Sequence, residues 1–134
     1  MKKTDSETFA SPIVPLFPAE RLLAYSVARE VLAAVAKLSS GWHGRAALRA
    51  QALDAAESVV LNLGEGAAQP PRSGAKRRHY VIALGSADEV GAALDAAGAQ
   101  ALSPAVELEA ARALAARSAA LVGGLVRSAT ARRR

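Results

Sequence analysis

Apolar residues recur at steps of three and four along most of the chain, which is the period of an α-helix with one buried face. Four such segments follow one another, separated by short stretches rich in proline, glycine and serine. No segment shows the two-residue alternation of a half-buried strand. The sequence therefore predicts an all-α fold, an up-down antiparallel four-helix bundle over residues 18–129.

Helix boundaries are predicted from capping residues and helix breakers. Ser73 is a suitable N-cap, Gly66 is interpreted as a terminator, and Ser103 followed by Pro104 opens the last helix. The predicted helices run from about Pro18 to Leu38, from about Gly44 to Ala67, from about Gly74 to Ala97, and from Ser103 onward.

Each predicted helix carries one apolar stripe that should form the core. Small residues at steps of four in the third helix, Ala83, Ala87 and Gly91, predict a close approach to a neighbouring helix. The four stripes are Leu23, Val27, Val31, Ala34 and Leu38; Leu48, Ala52, Ala55, Val59 and Leu63; Tyr80, Leu84, Ala87, Gly91 and Leu94; and Ala111, Leu114, Ser118, Leu121 and Leu125.

The two ends of the chain are predicted to lie outside the bundle. Residues 1–17 are rich in Ser, Thr and Pro and should form a flexible arm, although its apolar residues suit docking on the bundle or a neighbour; these are Phe9, Ile13, Val14, Leu16 and Phe17. Residues 130–134 are predicted to be a basic tail. No signal peptide or membrane-spanning run is recognised. The absence of cysteine favours a reducing cytoplasm.

The core should be thin, because hydrophobic residues make up 51% of the chain but aromatic residues only 4%. Much of the apolar fraction is alanine, which favours helix formation but buries little area per residue. A thin bundle gains stability by burying a face against a copy of itself, so a homo-oligomer is expected. Trp42, the only tryptophan, is expected to pack against a helix end or a subunit interface.

Positive charge exceeds negative charge, with 17 Lys and Arg residues against 12 Asp and Glu residues and a pI near 10.2. This balance permits binding to nucleic acid or to an acidic partner. The densest internal cluster lies at the start of the third helix, where cations oppose the helix dipole, and such a conflict points to a function. The cluster consists of Arg72, Lys76, Arg77 and Arg78, with His79 beside them.

We therefore predict that this cluster binds the phosphate backbone of RNA or DNA. A solvated run of charges is the alternative interpretation. Because aromatic residues for base stacking are scarce, any binding should lack sequence specificity. His43 and His79 are the only histidines and have no acidic residue at a ligand-like step, so neither a metal site nor a cofactor is predicted.

Two separate segments carry a family resemblance. The first includes residues 51–56 and Ser58-Val59-Val60-Leu61-Asn62-Leu63-Gly64-Glu65-Gly66, and the second is Ile82-Ala83-Leu84-Gly85-Ser86 followed by Glu89. Together they resemble the bacterial "four helix bundle protein" family, first noticed as reading frames in intervening sequences of large-subunit ribosomal RNA genes. The family is similar to the accessory variability proteins of diversity-generating retroelements. The resemblance rests on sequence motifs in the two central helices and on the pattern of residues alone in the outer two.

The resemblance implies an up-down bundle that assembles into a ring-shaped homopentamer. In the retroelement relatives it also implies a basic surface that contacts RNA and a reverse transcriptase. The chain departs from the family pattern at Gly64, where alanine is usual, at Ala67, where an aromatic residue is usual, and in the extra proline between the central helices.

Asn62, Glu65 and Ser86 are the polar residues that the resemblance singles out. An amide and a carboxylate can serve acid-base chemistry, but the sequence offers neither a second carboxylate at a useful spacing nor a nucleophile with a base. We therefore interpret the three as a structural polar network between helices or subunits, which must be paired where it is buried.

Three functions follow, and each has its own test. An oligomeric nucleic-acid-binding accessory protein should be retained on RNA or DNA at low salt. A purely structural protein–protein scaffold should recover a partner that nuclease does not release. No motif in the sequence indicates a small enzyme, and only turnover that depends on Glu65 would support that function. The first function, without catalysis, is the prediction.

Overall fold

Four α-helices account for most of residues 16–131, the part of the chain that the computed structural model describes. They are α1 (Leu23–Ser39), α2 (Ala46–Ala68), α3 (Gly74–Ala99) and α4 (Ala105–Ala131), preceded by a 3-10 turn at Pro18–Arg21. Each helix packs against its neighbours in sequence, and α4 closes the bundle against α1. No strand occurs within these residues, which confirms the all-α four-helix bundle.

The predicted arm and tail fall mostly outside the described residues. Of the arm, residues 1–15 lie outside them, including Phe9, Ile13 and Val14. Leu16 and Phe17 are described and are exposed, so they do not dock on the bundle as expected. Of the basic tail, residues 132–134 lie outside them, while Thr130 belongs to α4.

The core consists of two clusters, one toward each end of the bundle. One cluster is centred on Val35, Trp42 and Leu94. The other is centred on Leu63, Tyr80 and Val122. The two clusters meet at mid-bundle, where the side chains are alanine, valine and serine; these residues are Ala28, Val31, Ala56, Val59, Ala87, Val90, Ala115 and Ser118. Alanine at these positions lets all four helices approach closely but contributes little buried area, as the composition predicts.

The first helix begins at Leu23, five residues later than the predicted start at Pro18. Pro18–Arg21 form a separate 3-10 turn, and Leu22 is extended, with φ −96° and ψ 125°, so the helix starts afresh after it. Leu23 is consequently 56% exposed, whereas Ala24 is buried. Val27 and Val31 are buried as predicted.

Gly66 does not terminate α2, which continues to Ala68. The helix ends because Gln69 precedes a proline and is driven into the extended region, at φ −80° and ψ 155°. Gly66 is instead buried against α3, where a Cβ atom would lie 2.7 Å from Cε1 of Tyr80 and 3.1 Å from Cβ of His79. The glycine therefore serves the close approach of two helices.

The predicted small-residue stripe of α3 holds for only part of its length. Ala83 and Ala87 are buried as expected, but a Cβ atom at Gly91 would have nothing within 4 Å apart from the helix itself. Val90, one residue earlier, is buried in the core. The close approach therefore belongs to the half of α3 that carries Ala83 and Ala87.

At the end of the bundle opposite the α2–α3 link, a tryptophan joins the two remaining links between helices. Trp42 is 3% exposed, and its indole Nε1–H donates to the Ser103 hydroxyl at 2.8 Å, which joins the α1–α2 link to the α3–α4 link. This confirms the expectation that Trp42 packs against helix ends. It also gives Ser103 a role different from the predicted N-cap, since α4 begins at Ala105. Ser73 does cap α3, accepting from the Lys76 N–H at 3.1 Å.

Replacing Gly66 with alanine should destabilise the fold, because the new methyl group would overlap a buried tyrosine ring. We expect Gly66→Ala to lower the free energy of unfolding by about 1–3 kcal/mol, measured by urea denaturation. Gly64→Ala is the matched control: it lies in the same helix with open space at its Cβ position, and should raise stability by about 0.5–1 kcal/mol. Equal effects of the two substitutions would refute the close-approach role.

Candidate nucleic-acid interface

Three segments meet at one end of the bundle, which we call the basic end. They are the 3-10 turn before α1, the α2–α3 link and the last turns of α4, which pack around the cluster containing Tyr80. Five exposed guanidinium groups lie on these segments and on the first turns of α3. They belong to Arg21, Arg72, Arg77, Arg78 and Arg127.

Lys76 faces the protein, unlike the arginines that flank it in sequence. Its Nζ donates to the carbonyl oxygen of Gly66 at 2.7 Å and to that of Ala67 at 3.3 Å. The same ammonium lies 5.4 Å from the centroid of the Tyr80 ring. Burial lowers the pKa of Lys76 below its ordinary value.

The position of Lys76 removes part of the electrostatic conflict that the sequence suggested. A cation at the start of α3 opposes the dipole of that helix, but this ammonium lies against the last carbonyls of α2, where a positive charge is favourable. Lys76 therefore joins the end of one helix to the start of the next. Its ammonium is engaged within the protein, whereas the side chains of Arg72, Arg77 and Arg78 are exposed.

The three remaining arginines are exposed and lie within two turns of one another. Arg72 occupies the left-handed region, with φ 64°, in the turn that follows two prolines. Arg77 Nε donates to the Thr130 hydroxyl at 2.8 Å, and that hydroxyl donates to the Val126 carbonyl oxygen at the same distance. These bonds fix the arginine cluster next to the end of α4.

A continuous chain of hydrogen bonds, here called the polar seam, runs between α2 and α3 behind the basic end. It brings together the three residues that the sequence analysis singled out, Asn62, Glu65 and Ser86, and adds Ser58 and His79. Ser86 Oγ donates to Ser58 Oγ at 2.7 Å, and Asn62 Nδ2 donates to the Ser58 carbonyl oxygen at 2.9 Å. His79 Nδ1 lies 3.0 Å from Asn62 Oδ1 and 3.4 Å from Glu65 Oε1.

The contacts of His79 with Asn62 and Glu65 were not predicted from the sequence. The sequence analysis grouped His79 with the arginines because its acidic partner is 14 positions away and in another helix. The antiparallel pairing of α2 and α3 brings the two side chains together. The available signal was the pair of recognised segments, which can contact each other only if the helices run side by side.

The chemistry of the seam fits a structural role. Its two hydroxyls bond to each other, and the histidine bonds to the Asn62 amide oxygen with the Glu65 carboxylate close by, so no base is joined to a nucleophile. Both Asn62 and Ser86 are at least half-buried and require partners, which the seam supplies. Within residues 16–131, no three His, Asp or Glu side chains are grouped so that they could hold a metal ion.

Two further surfaces are apolar. An open groove of about 670 Å³ lies between α1 and α4 near the Trp42 end, with Ala34, Leu38, Leu102 and Leu114 among its lining residues. On the α2–α3 pair, Leu61 is 64% exposed and Ile82 is 42% exposed.

Comparison of the chain with protein-family models and with curated proteins finds no match. Membership of the four-helix-bundle family therefore stays a prediction from the two recognised segments. None of the helices within residues 16–131 combines the length and the hydropathy needed to cross a membrane.

Removal of the Lys76 ammonium should cost stability. We expect Lys76→Met to lower the free energy of unfolding by about 1 kcal/mol, because the last carbonyls of α2 lose their cation. Arg78→Met is the control on the same helix, where an exposed side chain is changed and stability should stay within about 0.5 kcal/mol. Both values come from urea denaturation. A larger loss for Arg78→Met than for Lys76→Met would contradict the structural role of Lys76.

Proposed function

We propose that this protein is a non-enzymatic, oligomeric accessory factor that binds the phosphate backbone of RNA or DNA through its basic end. The observation that supports the proposal is that the cations at the basic end differ in their contacts. Lys76 is used to cap α2, while Arg72, Arg77 and Arg78 remain exposed beside one another.

Arginine suits this role better than lysine. The guanidinium group carries its donors in a planar fork that matches two phosphate oxygens, and it is always charged. The first turn of α3 adds backbone N–H groups without partners inside the helix, next to Arg72. Arg21 adds a further exposed guanidinium at this end.

The resemblance supplies the context of the proposal. It favours RNA and a reverse transcriptase, or another nucleic-acid enzyme, as partners. The lack of cysteine supports a reducing cytoplasm as the compartment.

Changing the three arginines should weaken binding and reduce its dependence on salt. For Arg72→Gln, Arg77→Gln and Arg78→Gln combined, we expect at least a tenfold loss of affinity at low salt. The slope of log affinity against log salt should fall in magnitude by about 2–3 for a duplex, since each phosphate contact contributes about 0.9. The measurement is fluorescence anisotropy with a labelled RNA.

The matched control removes the same charge elsewhere. Arg29→Gln, Arg49→Gln and Arg117→Gln combined change three exposed arginines on the helices outside the basic end. This control should keep most of the affinity and most of the salt slope of the unaltered protein. Equal losses in the two triple variants would show that net charge, and not the basic end, accounts for binding.

Self-assembly is the second part of the proposal. The thin alanine core and the exposed Leu61 and Ile82 on the α2–α3 pair support an apolar contact between copies, and the resemblance favours a pentamer. Light scattering should give a mass of about five times the 13.7 kDa chain, and Ile82→Lys should reduce it. A strict monomer at micromolar concentration would contradict this part.

A protein–protein scaffold without nucleic acid is the other candidate. The observation that favours it is the apolar groove between α1 and α4, which lies at the end remote from the arginines. If the unaltered protein binds neither RNA nor DNA at low salt, this candidate replaces the first.

A further inference from the structure

Phe17 is the one exposed aromatic side chain among residues 16–131. Its side chain is 67% exposed, whereas Trp42 and Tyr80 are 3% and 4% exposed and Tyr25 is half-buried. A single exposed apolar residue is common on protein surfaces and has no meaning by itself. What distinguishes Phe17 is the way its backbone is held and the charge that surrounds it.

The backbone at Phe17 is fixed by the side chain of Glu20. Glu20 Oε1 accepts hydrogen bonds from the N–H of Leu16 at 2.5 Å and of Phe17 at 3.0 Å, and the Glu20 N–H donates to the Phe17 carbonyl oxygen at 3.0 Å. Pro18 restricts the residue before it, Phe17, to the extended region, where its φ is −125° and its ψ 147°. Ala19, only 3% exposed, anchors the turn on the bundle. The ring therefore projects from an ordered turn, and ordering it on a ligand costs little entropy.

The surroundings of the ring combine apolar surface with positive charge. Leu16, Phe17, Pro18 and Arg21 line an open hollow of about 370 Å³. The carboxylate of Glu20 accepts from two backbone N–H groups, and the guanidinium of Arg21 lines the hollow. The turn belongs to the same end of the bundle as Arg72, because it packs on α2, whose last residues precede the α2–α3 link.

We infer that Phe17 is a base-stacking residue, and that the ligand of the basic end is single-stranded nucleic acid. This inference rests on the proposed function and narrows its ligand class. A flat ring beside Arg21, at the end of the bundle that carries the other arginines, matches an unpaired strand, whose bases stack on the ring while its phosphates contact the guanidinium groups. A duplex keeps its bases stacked on one another, so it gains from the arginines alone. Stacking accepts every base, so the binding has no sequence preference.

The test compares Phe17 variants on two probes. The probes are a fluorescein-labelled 12-nucleotide uridine RNA and a labelled 12-base-pair RNA duplex. Phe17→Ala and Phe17→Leu should each weaken single-strand binding about 5- to 100-fold, since both remove the aromatic face. Phe17→Trp should restore it. Duplex affinity should change less than twofold, and the salt slope should be unchanged, because no phosphate contact is lost.

Two controls separate stacking from a structural or merely apolar effect. Leu23→Ala removes an exposed apolar side chain at the same end and should leave both affinities unchanged. Thermal unfolding of every Phe17 variant should match that of the unaltered protein, because the ring is exposed.

Three results would overturn the inference. The first is normal single-strand affinity in Phe17→Ala, and the second is an equal loss on single strand and duplex. The third is binding to phosphatidylglycerol vesicles that depends on Phe17 while RNA binding does not, which would assign the turn to a lipid surface. If the unaltered protein binds neither probe, the proposed function itself fails. If it binds both probes but Phe17→Ala has no effect, only the inference about Phe17 fails.

Discussion

The close approach of α2 and α3 at Gly66 is the constraint on which the rest of this end of the bundle depends. With no side chain at Gly66, the ring of Tyr80 lies directly over the helix backbone. This contact sets the register of the two helices, and that register brings Asn62 and Glu65 within reach of His79. It also leaves the last carbonyls of α2 within reach of Lys76. One missing methyl group thus determines the polar seam and the helix cap together.

The same register gives the cations of the basic cluster different surroundings. Residues 76 to 78 are three consecutive positive charges on a helix, so they point in different directions around its axis. Lys76 faces the end of α2 and stabilises the link, whereas Arg77 faces α4 and Arg78 is exposed. The arginine groups are therefore carried on backbone that is fixed by hydrogen bonds on both sides. A rigid support of this kind is what phosphate binding by a charged surface requires.

Much of the fold could be predicted from the sequence, because helix period and proline breaks are local signals. Val27, Val31, Ala52 and Leu63 are buried as the periodicity indicates. The errors came from contacts between helices. Gly66 has the local pattern of a terminator, but its role depends on a tyrosine in the next helix. Likewise, the capping role of Lys76 and the pairing of His79 depend on the helix register, which no local pattern contains. That the basic cluster binds nucleic acid stays a prediction.

Side-chain NMR with a short single-stranded RNA tests most directly whether the neighbouring arginines bind the ligand while Lys76 supports the fold. We expect RNA to shift the Nε–Hε signals of Arg72, Arg77 and Arg78. The signals of the Lys76 side chain should change little, because its ammonium is already bonded to the Gly66 carbonyl oxygen. Largest shifts at Lys76, or shifts at Arg49 equal to those at the three arginines, would contradict this expectation.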